Sequence, residues 1–228
     1  MTAPIPAPKP IEWAEAAAVS VAAAAASAAA YVVTHWLANI RAGRQDIPAA
    51  DVAVMLAHQL SIANEMAYSI GDKAMADIAT QHAGIPISVL GLKPPDDEEA
   101  RLRQAVDTIF GADHEALVQR MERIAAAEPL TATRRSLQEA MKRRGVESWR
   151  RVVMPLACES CASRVGEIRS IDVLFGDHPS CRCTLAPVIS TTWGDEVKQR
   201  QLQLRLVTPA GDRLSYGISF EPRERGAR

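Results

Sequence analysis

The sequence predicts a mainly α protein, with a helical N-terminal body and a small cysteine-rich α+β module that ends in a β-hairpin. Three observations support this fold class. Apolar residues recur at helical spacing through most of the first 145 residues, all four cysteines lie between residues 158 and 183, and apolar residues alternate near the C-terminus. We therefore expect an extended, proline-rich arm over residues 1–10, a helical domain over 11–145, and a cysteine-rich module with a β-hairpin tail over 146–228.

The first two predicted helices are long. One should run from Ile11 to about Arg41, ending near Gly43, and the next from about Ile47 to Gly84. Glycine is a weak helix former, so the Gly71-Asp72 pair is where the second helix would kink or split. Alanine is abundant and aromatic residues make up only 4% of the chain, which predicts close-packed helices with small side chains.

The remaining predicted helices are shorter. Pro94 and Pro95 break the chain before an acidic first turn, Asp96 to Glu99, which suits the positive end of a helix dipole. Because proline disrupts a helix interior, Pro129 should separate a helix that begins near Asp113 from a last helix over 131–144. After Trp149 the helical periodicity ends. The two runs QLQLRLV and LSYGISF, between Gln201 and Phe220, predict the hairpin.

The segment Ala16–Val33 carries no charged residue over 18 positions, which is long enough to span a membrane. Alanine contributes little to insertion, and Glu12 and Glu15 stand where a secretory signal would carry Lys or Arg. We expect a buried or self-associating helix here, with a membrane-associated protein as an alternative. Without an export signal the cysteines should lie in a reducing compartment, which favours metal binding or thiols over disulfides.

The cysteines form two pairs of candidate metal ligands. Cys158 and Cys161 have the two-residue separation of a zinc knuckle. Cys181 and Cys183, separated by one residue, are a less usual pair, whereas His178 and Cys181 have the more favourable two-residue separation. Five candidate ligands compete for four positions, so a four-cysteine set and a three-cysteine, one-histidine set both remain possible. Two other interpretations are a cysteine pair that oxidises to a disulfide and four small buried apolar side chains.

Three stretches carry a family resemblance: Gly145–Pro155 (GVESWRRVVMP), Cys158–Cys161 (CESC) and His178–Val188 (HPSCRCTLAPV). In this order they resemble the C-terminal signature of MuF-like minor head proteins of tailed bacteriophages, especially the actinophage branch. The match covers about 45 residues, and an Ala-rich helical N-terminal half is also similar to that family.

This resemblance implies a minor capsid or head-morphogenesis protein that binds the portal protein and the major capsid protein during procapsid assembly. Such a protein belongs in the virion head, and in the host cytoplasm during assembly, without a membrane. Some family members are fused to a maturation protease or a toxin domain, and about 40 residues follow Val188 here, too few for either. We therefore expect a non-enzymatic protein with structural zinc, and keep a protein related to capsid-maturation proteases as the alternative.

Charge and motifs argue against general nucleic-acid binding and against several common catalytic sites. The net charge of −1 argues against a general nucleic-acid binder. No phosphate-binding loop, nucleophile elbow or zinc-protease helix occurs in the sequence. One basic segment could touch packaged DNA, or could simply be a solvated helix end; its arginines are Arg134, Arg135, Arg143, Arg144, Arg150 and Arg151.

Overall fold

A computed structural model describes residues 9–44, 47–110, 114–153, 158–176, 181 and 183–207; of residues 114, 115 and 203–207 it describes the backbone alone. Within these residues the chain is mainly α, as predicted. The helices are α1 (Lys9–Arg41), α2 (Ala49–Ala83), α3 (Glu98–Phe110), α4 (His114–Arg143), α5 (Glu159–Ala162) and α6 (Trp193–Val207). The strands are β1 (Ser148–Val152), β2 (Ile168–Ser170) and β3 (Thr184–Val188).

Helices α1, α2 and α4 pack on one another, and α3 covers α2. Small side chains let the backbones approach closely. A Cβ atom added at Gly71 would lie 2.5 Å from the Thr133 carbonyl oxygen and 2.8 Å from the Leu137 nitrogen of α4. The low helix propensity of glycine predicted a possible kink or split at Gly71, but α2 is continuous there. Gly71 is instead the position where α4 crosses α2.

Two predicted helix boundaries were wrong. Lys9 and Pro10 belong to the first turn of α1, where a proline costs little, and not to an extended arm. Residues 1–8 of that arm lie outside the described residues. Pro129 lies inside α4 and does not divide it, because burial of Leu130 and Ala132 against the bundle outweighs the loss of one backbone hydrogen bond.

The three strands form one antiparallel sheet in the order β2-β1-β3. Trp149, the second residue of β1, pairs with Arg169 of β2 and Pro187 of β3. Its side chain is 1% exposed, and its indole nitrogen donates to the Val173 carbonyl oxygen at 2.9 Å. The sheet is thereby fixed to the loop that follows β2.

The predicted β-hairpin is wrong in its first strand. Residues 201–207 continue α6, which begins at Trp193 with Asp195 and Glu196 in its first turn. Trp193 and Val197 are buried, so the start of this helix is anchored in the core and the Leu/Gln/Arg-rich continuation extends it. The second strand of the predicted hairpin lies outside the described residues.

One hydrophobic cluster crosses the predicted boundary at residue 145. It joins Met75 and Ile78 of α2 and Met141 of α4 to Leu185 of β3 and Trp193 of α6. A second cluster, farther along the bundle, is wholly helical and has Leu56, Leu102 and Met121 among its members. The division into a helical domain and a cysteine-rich module stays a prediction, although the two parts share a core.

Helix α1 is long and apolar enough to cross a membrane, judged by length and composition alone. A core helix of a soluble protein or an N-terminal signal sequence meets the same criterion. In its most apolar window 22% of the residues are buried inside this chain. The rest of that stretch is partly buried or exposed.

Candidate metal centre

The cysteines converge at the end of the sheet. Cys158 stands immediately before the one-turn helix α5, and Cys161 lies within that turn. The amide groups of Cys161 and Ala162 donate to the Cys158 carbonyl oxygen at 3.0 Å and 2.9 Å, which holds the two cysteines on one tight turn. Cys181 and Cys183 come directly before β3, so the sheet delivers the second pair to the first.

Three of the thiols form a compact group. The sulfurs of Cys161, Cys181 and Cys183 all lie within 4.8 Å of one another, and these residues are 3%, 4% and 1% exposed. The Cys161 and Cys181 sulfurs are 3.5 Å apart, much longer than the ~2.05 Å of a disulfide bond. A tetrahedral zinc with Zn–S bonds of about 2.3 Å holds its sulfurs about 3.8 Å apart. These three buried cysteines can therefore hold a metal ion.

Cys158 supplies a fourth thiol beside this group. Burial raises the pKa of the Cys161 thiol far above its usual range, and hydrogen bonds with the thiols of Cys183, Cys181 and Cys158 raise it further. Cys158 is exposed, so it lies on the solvent side of the three buried thiols. A thiol this reluctant to ionise stays protonated in the absence of metal, and metal binding must displace its proton.

His178, the fifth candidate ligand, lies outside the described residues. The choice between four cysteines and three cysteines with one histidine therefore stays open. The full ligand set of Cys158, Cys161, His178, Cys181 and Cys183 remains a prediction. The structure brings Cys161, Cys181 and Cys183 together and places Cys158 beside Cys161.

Two arginines flank this centre, and the sequence did not predict that role. The Arg134 guanidinium donates to the Cys181 carbonyl oxygen at 2.5 Å, and that of Arg151 donates to the Gly176 carbonyl oxygen at 2.6 Å. Both lie against the Phe175 ring, at 5.4 Å and 4.2 Å from its centre. Phe175 in turn packs on the cysteine cluster. The arginines therefore connect helix α4 and strand β1 to the cysteine cluster.

This burial revises the expected DNA contact. Arg134, Arg144 and Arg151 are 4%, 8% and 4% exposed, and Arg144 donates to the Ser88 carbonyl oxygen at 2.7 Å. These three arginines are buried and donate to backbone carbonyl oxygens, so their guanidinium groups are not available to a DNA phosphate at the protein surface. Among the six arginines, Arg135 and Arg143 are exposed and Arg150 is half-buried, and for these three the DNA contact stays a prediction.

A second buried polar group joins α2, α3 and α4. Glu98 accepts hydrogen bonds from Asn64 at 2.6 Å and from Arg101 at 2.9 Å, and Arg101 also binds Glu128 at 2.5 Å. Burial by itself would raise the pKa of Glu98, but the hydrogen bonds from Arg101 and Asn64 outweigh it and the pKa is lowered. The sequence predicted Glu98 only as part of an acidic first turn. Asn64 lies 34 positions from Glu98, and Glu128 lies 27 positions from Arg101, so no local pattern marks these two contacts.

The described histidines have structural surroundings. His82 lies edge-on to Trp193 at 6.0 Å, and His58 faces Glu99 at 3.8 Å on the surface.

Comparisons with known proteins give no further guide, because no family model, curated protein or solved structure matches this chain.

Proposed function

We propose that the chain is a structural component of a tailed-phage head, a minor capsid or head-morphogenesis protein whose C-terminal module is held together by zinc. The observation that carries the proposal is the convergence of the cysteines within Gly145–Val188, the stretch that resembles MuF-like minor head proteins. The helical body would then provide the surfaces for the portal and the major capsid protein.

Zinc is proposed because thiolates are the ligands it favours and because the sulfur separations suit a tetrahedral site. A structural role is favoured over a catalytic one. Structural zinc sites are filled by protein ligands, whereas catalytic ones keep a position open for water. Three buried cysteines lie close together with Cys158 beside them, and this supports a site in which protein supplies every ligand.

Elemental analysis of the purified protein tests the metal part. We expect one zinc per chain, lost in Cys158→Ser and retained in Ser160→Ala, a matched variant inside the same four-residue stretch. The wild-type protein should be purified with its thiols reduced and without a chelating reagent. If it then contains no zinc, and takes none up when zinc is added, the zinc site is refuted.

Co-expression with the portal and major capsid proteins of the same phage tests the assembly part. We expect the chain to copurify with procapsids and Cys158→Ser to be depleted from them. Absence of the wild-type chain from purified procapsids would contradict the proposed function. Specific cleavage of the major capsid protein by the purified chain would instead favour the protease-related alternative.

A further inference from the structure

Helix α1 presents a long outward face that carries opposite charges at its two ends. Glu12 and Arg41 are exposed and lie about eight turns apart at ~3.6 residues per turn, so both point to the same side of the helix. Between them this side carries the exposed small residues Ala16, Ala23 and Ser27. It is therefore a neutral, narrow surface that is acidic at one end and basic at the other.

An apolar groove runs beside this face. A cavity of about 470 Å³ opens between α1 and α2, with Ser20, Ala24 and Ala28 on one wall and Leu60, Ile62 and Met66 on the other. Ile62 and Met66 are 49% and 55% exposed. One aromatic side chain near its end, Tyr31, is 72% exposed. The chain thus displays both a hole and a knob on one side of the molecule.

We propose that this groove and the outward face of α1 bind a second copy of the same chain, with the two α1 helices antiparallel. An antiparallel copy places Glu12 opposite Arg41 of its partner at both ends, and the two helix dipoles also oppose each other favourably. The two-fold axis then passes between Ala26 and Ser27, in the middle of the run Ala22–Ala30. Small residues at that centre allow an interaxial distance near 8 Å.

The same register fills the groove. With the axis between Ala26 and Ser27, the partner's Tyr31 lies opposite Ala22, at the level of the cavity walls. A two-fold axis perpendicular to both helices keeps the partner's Tyr31 on the groove side of α1, because Tyr31 projects on the same side of the helix as Ser20 and Ala24. The register that pairs the charges therefore also places the partner's Tyr31 at the level of the groove.

The charge pattern also distinguishes a second copy from other occupants. A lipid surface or an unrelated apolar helix offers no reason for an acid at one end of the face and a base at the other. If α1 continued past Arg41, Arg44 would lie opposite Lys9 of the second copy, and the two positive charges would repel each other. Gly43 has a positive φ of 66°, so the chain leaves the helix direction before Arg44. The contact does not involve the cysteines, so this inference is independent of the proposed metal centre.

Charge reversal provides the test. Sedimentation of the full chain at micromolar to millimolar concentrations should show a dimer for wild type. Glu12→Arg and Arg41→Glu should each weaken dimerisation about tenfold or more, since each places like charges at both symmetric contacts. The double variant E12R/R41E should regain the wild-type dissociation constant. The swap E139R/R143E, which exchanges a pair within one helix at 2.7 Å, is the matched control and should leave it unchanged.

Packing is tested separately by Tyr31→Ala, which should weaken the dimer about tenfold while circular dichroism stays unchanged. A wild-type chain that is monomeric throughout this range would overturn the proposal. So would a dimer that ignores the single reversals, or a double variant that stays as weak as either one. A monomer that instead binds neutral phosphatidylcholine vesicles through α1 would identify a lipid surface as the occupant and would equally refute the second copy.

Discussion

The two ends of this molecule are stabilised by different chemistry. The far end of the bundle, around Leu56, Leu102 and Met121, has an apolar core between helices, with the Glu98 hydrogen-bond network beside it. The cysteine end has a three-stranded sheet, a one-turn helix, buried thiols and buried guanidinium groups. An apolar core needs only burial. The sheet shares the bundle core, but the short elements around the thiols add little apolar surface of their own. The comparison predicts that one end depends on a bound metal and the other does not.

Metal removal should have the largest effect and should affect the cysteine end alone. We expect a chelator, or Cys161→Ser, to disorder the cysteine end while the apolar end stays folded, because structural zinc supplies much of the folding free energy of small modules. Near-ultraviolet circular dichroism from Trp149 and Trp193 would report the loss. A spectrum and melting temperature unaffected by chelator would contradict it.

A cavity in the apolar end should have the next largest effect. Leu56 is fully buried, so Leu56→Ala should lower the free energy of unfolding by about 2–5 kcal/mol. Denaturant titration should give the same loss with and without chelator, since this end has no thiol. Leu202→Ala, at a residue that is 44% exposed, is the control and should have little effect. A loss for Leu56→Ala that vanished with the metal would show that the two ends are not distinct.

The buried arginines provide a smaller effect confined to the cysteine end. Arg151 and Arg169 both contact Glu167, but the Arg151 side chain is 3% exposed and that of Arg169 is 49% exposed. Arg151→Met should cost about 1–3 kcal/mol through the lost hydrogen bond to Gly176, and Arg169→Met less than about 1 kcal/mol. Thermal unfolding of the two variants decides the matter, and equal shifts would argue against a structural role for Arg151.

Acid should produce the smallest effect, and at the other end. The pKa of Glu98 is lowered in the folded protein, so the carboxylate contributes stability above its unfolded pKa and loses it as the pH falls through the folded value. We expect Glu98→Gln to be less stable than wild type at pH 7 and to lose less stability on acidification below about pH 4.5. Denaturant midpoints measured from pH 7 to pH 3 would show converging curves. Parallel curves would exclude this contribution.

Local patterns predicted the parts of the fold that local interactions determine. The spacing of apolar residues identified the helices, and the paired cysteines identified the residues that converge. Tertiary contacts decided the rest. Gly71 and Pro129 both lie in helix interiors because α2 and α4 pack tightly, and the alternating run from Gln201 is helical because Trp193 and Val197 anchor α6.

The surroundings of the metal centre could not be predicted for the same reason. Arg134 lies 47 positions from Cys181 along the chain, and a basic segment indicates solvent exposure unless a partner is known. The sequence contains an acidic residue near the start of α1 and a basic residue at its end. That both lie on an exposed face follows from the tertiary structure, in which α2 and α4 pack on α1.

Hydrogen exchange of the backbone amides with and without a zinc chelator tests the difference between the two ends most directly. We predict that chelation removes protection in Glu159–Ala162 and Thr184–Val188 and leaves that of the α2 segment around Leu56 unchanged. Protection that falls uniformly along the chain, or that does not change anywhere, would contradict a protein whose sulfur-rich end alone is held by metal.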